Sequence, residues 1–242
     1  MDQPVARTRL LTESLPGAGE RCHVGGAEAA HARARRLRVG DPVVLVDGSG
    51  REAEGRVERL GRGGVDVLVE NVRPAPADAA APLHLLVAAV RSERLSWIAE
   101  KATELGAARL TLVVSARTQS FRAGGAVVPR LERLVREAAK QTESARWPAI
   151  AGPWPLARAL AQEQSRTRLI LDPSGEPFPA TLPRDSVALL VGPEGGWAEA
   201  ELDDALRAGW LAASLAAGKL RAETAAVAAL TLARTALARL PH

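Results

Sequence analysis

A two-domain α/β architecture is the fold class this sequence predicts, with a small β-rich domain ahead of a larger one built on a parallel sheet. Three observations predict it. Up to Glu70 the apolar residues fall in short, glycine-punctuated runs, and residues 73–82 form a Pro/Ala stretch. From Leu83 onward, strand-like apolar runs alternate with segments of helical periodicity. The 242 residues suffice for two such domains.

Taken in order, a helix fits from about Gly26 to Leu37, closed by Gly40. Val43 to Val46 runs into Asp47-Gly48-Ser49-Gly50, a strong turn signal. Glu54 to Leu60, the turn Gly61 to Gly64, and Val65 to Val69 complete a small barrel with one helix. This gives a first domain over 1–73, a linker over 74–81 and a second domain over 82–242. Leu83 to Val90 is a near-continuous apolar run, as in a strand buried on both faces. Ser92 suits the start of a helix with Leu95, Ile98, Ala102 and Leu105 on one face, ended by Gly106. Leu110 to Val114 is the next strand, and Pro129 opens another helix through Leu131, Leu134, Val135 and Ala138. A short helix from Leu156 to Gln162 precedes a strand from Arg168 to Leu171. Val187 to Val191 is a strand followed by a helix to about Ala208. Leu211 to Leu215 is a last short strand, and Glu223 to Leu240 a long Ala-rich helix.

Composition narrows the classes. No apolar run approaches the roughly 20 residues of a membrane helix, and Met1 to Pro4 has no signal-peptide core, so the cytoplasm is the expected compartment. Cys22 is the single cysteine, and no Cys/His set has metal spacing, so neither disulfide nor metal is expected. The basic residues are arginines apart from Lys101, Lys140 and Lys219. That composition suits phosphate binding, and it equally suits codon bias in a GC-rich genome. With two Phe and no Tyr, a base-stacking platform is not expected; phosphate contacts and shape would carry RNA affinity.

Three segments are candidates for chemistry. Gly192-Pro193-Glu194-Gly195-Gly196-Trp197 follows a buried strand, where glycines let a backbone approach a ligand. It is neither a P-loop nor Gly-x-Gly-x-x-Gly, and its spacing also fits a plain βα turn. Leu220-Arg221-Ala222-Glu223-Thr224-Ala225 opens the last helix, and its acidic and hydroxyl residues also suit a simple helix start. Lys101 to Gly106 reads equally as an amphipathic helix end.

In this order the segments resemble the RsmE family of 16S rRNA (uracil-N3)-methyltransferases, within the SPOUT superfamily. The matches are Lys101-Ala102-Thr103-Glu104-Leu105-Gly106, Glu137 to Thr142 with Arg146-Trp147-Pro148, Gly192 to Trp197, and Leu220 to Ala225. His31 to Leu37, Val39-Gly40-Asp41 and Asp47-Gly48 resemble the family's PUA-like barrel. The chain departs from the family pattern at Ala216, Gly218-Lys219, Glu143-Ser144 and Ala198; the last leaves Glu201 as half of a capping box.

The resemblance implies a C-terminal trefoil-knotted parallel sheet behind a PUA-like β-barrel, and a homodimer acting on 16S rRNA of the small ribosomal subunit. The knot follows from the resemblance alone. Apolar helical positions such as Val227, Leu230 and Leu237 are available to support the dimer. The implied cofactor is S-adenosylmethionine (SAM), held by Leu171, Asp172, Gly192, Pro193, Glu194, Gly195, Gly196, Leu215, Leu220, Arg221 and Thr224. Arg221 is a candidate to stabilise a uracil anion, and Glu194 and Glu223 are candidate proton acceptors. Candidate RNA contacts are Arg33, Arg35, Arg36, Arg38, Lys101, Arg117, Gln141 and Arg146. The rival readings are a SPOUT enzyme acting on tRNA or on a ribose 2'-OH, and a non-catalytic RNA-binding protein.

Overall fold

The structure is a computed structural model that describes residues 8–75, 81–88, 92–118, 126–215 and 218–238. The chain separates into two compact units: residues 1–79 with 143–146, and residues 80–142 with 147–242. In the first unit, β1 (Thr8–Leu11), β2 (Arg21–Val24), β3 (Pro42–Val46), β4 (Arg51–Leu60) and β5 (Val65–Pro74) form one sheet in the order β1-β3-β4-β5-β2. Val65, Val67 and Val69 alternate into its core with Val43, Leu45, Ala53 and Val57. The sheet is a half-barrel with β1 and β2 at its edges, near enough for Thr12 Oγ1 and Cys22 Sγ to meet at 3.4 Å. Both edge strands have only four residues, too short for periodicity to reveal them in the sequence. Helix α1 (Gly26–Ala34) stops three residues short of Leu37, because Arg36 turns the chain at φ 56°. Residues 143–146 lie with this unit: Arg146 bridges to Gly48 and Ser49, and Gly50 N–H donates to the Ala145 carbonyl at 3.1 Å.

The second unit is a six-stranded sheet, entirely parallel, in the order β11-β9-β10-β6-β7-β8. Its strands are β6 (Leu83–Ala88), β7 (Ala107–Val114), β8 (Ala149–Pro155), β9 (Thr167–Pro177), β10 (Val187–Val191) and β11 (Leu211–Ser214). The apolar runs of β6 and β10 are buried on both faces. Leu83, Leu85, Val87, Val187, Leu189 and Val191 meet α2 (Ser92–Glu104), α3 (Val127–Gln141) and α6 (Ala222–Ala238). Leu86, Ala188 and Leu190 meet α4 (Leu156–Gln162) and α5 (Glu199–Arg207), with Trp210 at the centre. Strand β8 escapes the sequence reading because it holds Gly152, Pro153 and Pro155; it pairs only with β7, the edge position that tolerates proline. Residues 89, 90, 239 and 240, expected in a strand and a helix, lie outside the described residues.

Leu230 and Leu237, expected to be free for a partner, are instead packed into the core of their own unit at 1% and 4% exposure. Periodicity marks a face as buried without saying by what. Near the amino ends of the strands, a polar cluster is likewise buried. His84 Nδ1 lies 3.1 Å from both Glu163 Oε1 and Ser165 Oγ, and Ser165 N–H donates to Glu163 at 2.8 Å. Both side-chain contacts use the same ring nitrogen, so the trio is no proton relay. Burial pushes the Glu163 carboxyl up, but the hydrogen bonds from His84 and Ser165 outweigh it and hold it at about 2.

Candidate active site

The carboxyl ends of β9, β10 and β11 enclose a cavity of about 350 Å³, at the edge of a parallel sheet where ligands of such folds sit. Three stretches of chain make its wall: Leu171 to Ser174, Val191 to Trp197, and Ala213 to Leu215 with Gly218 to Leu220. The first exists because β9 breaks its ladder. Its register with β11 jumps from Ile170↔Ala212 to Glu176↔Ala213, which extrudes the residues between them. Gly175 permits this, since a Cβ there would lie 2.6 Å from the Ala212 carbonyl carbon and the Ala213 nitrogen. Asp172 Oδ1 closes the bend by accepting from Ser174 N–H at 2.9 Å and from Ser174 Oγ.

The glycine turn is tied down from three sides. Gly196 N–H donates to the Pro193 carbonyl at 2.9 Å, and Gly196 has φ 70°, a conformation that excludes most side chains. Trp197 is buried and donates its Nε1–H to the Leu171 carbonyl at 3.1 Å, joining this turn to the extruded loop. Arg117 Nη1 donates to the Gly195 carbonyl at 2.9 Å. Below the turn, Ala198 stands at the N-cap of α5 and has no side-chain acceptor. Only the Glu201 half of a capping box is present: Glu201 accepts from Ala198 N–H at 3.0 Å and from Ala116 N–H at 2.7 Å.

Of the residues expected to hold a cofactor, Leu171, Asp172, Gly192, Pro193, Glu194, Gly195, Gly196, Leu215 and Leu220 line the cavity together. Arg221 and Thr224 are exposed and outside its lining. Glu223 is also outside it; its carboxylate lies 3.7 Å from Arg94 Nε, and Arg94 pairs with Glu194 through Nη1. Arg117, expected at the RNA, is part of the cavity wall. Pro173, Gly218 and Lys219, within the stretches the resemblance assigns to adenosine, line it too, as does Ser174, which the sequence did not single out. Arg94 carried no signal, since an arginine in the first turn of an amphipathic helix reads as a solvated charge.

Comparison with known proteins decides the family. Residues 77–234 match the model of the RNA methyltransferase domain, and residues 24–70 that of the RNA methyltransferase PUA domain. The ribosomal RNA small subunit methyltransferase E of Mycobacterium bovis is 35% identical over 239 residues, covering 91% of this chain and 88% of that protein. The chain belongs to the RsmE family. Its fold is that of the SPOUT RsmE methyltransferases. A putative methyltransferase of Legionella pneumophila, solved with SAM bound, superposes with a TM-score of 0.76 at 25% identity, covering 94% of this chain and 97% of that one. A probable rRNA methyltransferase of Porphyromonas gingivalis gives 0.79 at 26% identity, covering 96% and 98%.

The remaining family-derived candidates are dispersed. In the first unit, Arg33, Arg35, Arg36 and Arg38 are all exposed, and none forms a salt bridge among the described residues. Arg33 and Arg62 flank a groove floored by Leu37, Leu60 and Val65. Arg146 lies in the same unit. Gln141 ends α3 and is exposed. Lys101 is engaged on its own helix at 2.7 Å from Glu104 and 2.9 Å from Glu100, contacts that raise its pKa. Among the described residues no group of His, Cys, Asp and Glu has the arrangement of a metal site, and no helix is long and apolar enough to cross a membrane.

Proposed function

We propose that this protein is a SAM-dependent methyltransferase that methylates N3 of a uridine in 16S rRNA of the small ribosomal subunit. The observation that carries this reading is the cavity at the strand ends, walled by the glycine turn and the two loops beside it. A Cβ on Gly196 or Gly218 would meet nothing within 4 Å, so the backbone is presented bare to whatever occupies the space. The cavity volume of about 350 Å³ is of small-molecule size. These features fit SAM, whose adenosine would rest on Leu171 to Ser174, Gly192 to Gly196 and Leu215 to Leu220.

SAM supplies a methyl group on a positively charged sulfonium. Uracil N3 is a protonated imide nitrogen, a poor nucleophile until its proton leaves, so the protein must accept that proton and hold the anion in line. Glu223 and Glu194 are the acceptors at hand. Glu223 is the better one, because its Oε2 is buried and makes no hydrogen bond. Arg221, exposed beside it, is free to reach the uracil oxygens and stabilise the anion. The exposed arginines of the first unit would meet phosphates.

The family further suggests a homodimer working in the cytoplasm. The apolar groove of Phe178, Leu215 and Ala236 beside Leu232, which is 39% exposed, offers a surface for a second copy. Calorimetry with SAM tests the cofactor assignment. Transfer of labelled methyl to small subunits from a strain lacking the enzyme tests the substrate. Binding without transfer would favour a non-catalytic RNA-binding protein.

A further inference from the structure

Arg94 stands on the first turn of α2, a helix that contributes no residue to the cavity wall among the described residues. Its side chain nevertheless reaches both candidate proton acceptors. It pairs with Glu194 in the glycine turn, and it lies 3.7 Å from Glu223 Oε1 in the first turn of α6. One guanidinium therefore ties together two segments on which the proposed chemistry depends. It also sits between two carboxylates that would otherwise repel each other.

The three side chains differ in exposure: 55% for Glu194, 30% for Arg94 and 18% for Glu223. Glu223 is the most withdrawn from water and depends most on a counter-charge. The contact it receives is an ion pair too long for a hydrogen bond. Its other oxygen, Oε2, is buried without a partner, although buried acceptors are almost always satisfied. Arg94 thus supplies charge to Glu223 without occupying its lone pairs. Rotation about the last torsion of Glu223, which is broad, exchanges the two oxygens and can bring the unused one toward solvent.

We propose that Arg94 is a positioning residue for methyl transfer, which holds the Glu194 turn against the Glu223 turn and keeps the Glu223 carboxylate placed to receive the imide proton. The proposal rests on the reading of N3 methylation given above. In that step the N3–H bond breaks and its proton passes to Glu223. The freed N3 pair forms the bond to the methyl carbon, and the carbon–sulfur bond breaks with its electron pair kept by sulfur. Glu223 later releases the proton to water.

The test compares wild type with Arg94→Met and Arg94→Lys, using small ribosomal subunits from a strain lacking the enzyme and labelled SAM. Arg94→Met is expected to lower kcat roughly 100-fold, the scale of one lost acid–base contribution. SAM affinity and KM for subunits should stay within about threefold of wild type, since ground-state binding is not removed. Arg94→Lys, and guanidinium added to Arg94→Met, should each restore part of kcat. A kcat for Arg94→Met within about threefold of wild type would overturn the proposal. So would a joint fall of kcat and SAM affinity with no recovery by lysine or guanidinium, which would make Arg94 a structural strut. A wild-type enzyme that binds SAM but methylates no subunit overturns the reading beneath the proposal and the proposal with it.

Discussion

Gly195 and Gly196 are adjacent in the turn but face different obstacles, and replacing each separates backbone strain from cavity filling. Gly196 has φ 70°, and a Cβ there would meet nothing within 4 Å. Alanine at this position should cost about 1–2 kcal/mol of stability from conformation alone, and β-branched valine more. Gly195 has no such constraint. A Cβ there would sit 3.5 Å from Arg117 Cβ and Cδ, an ordinary contact. Gly195→Ala should therefore leave stability within about 0.5 kcal/mol of wild type. Both residues line the cavity, so valine at either position intrudes on the space assigned to adenosine. Urea unfolding reads the strain, and calorimetry with SAM reads the filling. The expected pattern is stability loss at Gly196 only, with SAM binding lost in both valine variants. A Gly195→Val protein that binds SAM like wild type would show that the cofactor lies elsewhere.

Other perturbations probe separate links. Trp197→Phe removes the donor to the buried Leu171 carbonyl and should cost about 1–3 kcal/mol; it should also weaken SAM binding, and unchanged values for both would deny the anchor. Glu163 is held at about 2 against an ordinary 4.5, worth roughly 3 kcal/mol of folding free energy. Because the folded value is the lower one, that stability is present above pH 4.5 and is lost as pH falls toward 2. Glu163→Gln should flatten the acid side of the stability profile, and parallel profiles for the two proteins would contradict the linkage. Changing Arg33, Arg35, Arg36 and Arg38 to alanine should leave SAM affinity intact and reduce the salt dependence of RNA binding by roughly one slope unit per lost phosphate contact. An unchanged slope would make these arginines a plain solvated face.

How much was legible in the sequence depended on how local the signal was. The glycine turn could be placed at a strand end because Val187 to Val191 and Gly192 to Trp197 are contiguous, and those eleven residues alone say strand, then turn. Strands β6 and β10 were legible for the same reason, as unbroken apolar runs. What escaped depends on distant partners. No pattern in Leu211 to Ser214 says that β11 returns beside β9 rather than β10, nor that this pairing extrudes the loop at Asp172. Leu230 and Leu237 were visibly apolar, yet only packing shows that they face their own sheet. Arg94 acquires meaning only when α2 is folded next to residues about 100 and 130 positions further along. The resemblance to a known family supplied what periodicity had no means to supply, including the cofactor.

Nucleoside mass spectrometry of small-subunit rRNA, from a strain lacking the gene and from the same strain with it restored, tests the proposed activity most directly. N3-methyluridine should disappear from 16S rRNA on deletion, return with the wild-type chain, and fail to return with the Gly195→Val chain. N3-methyluridine that persists in the deletion strain, or loss of a tRNA or ribose 2'-O-methyl mark in its place, would contradict it.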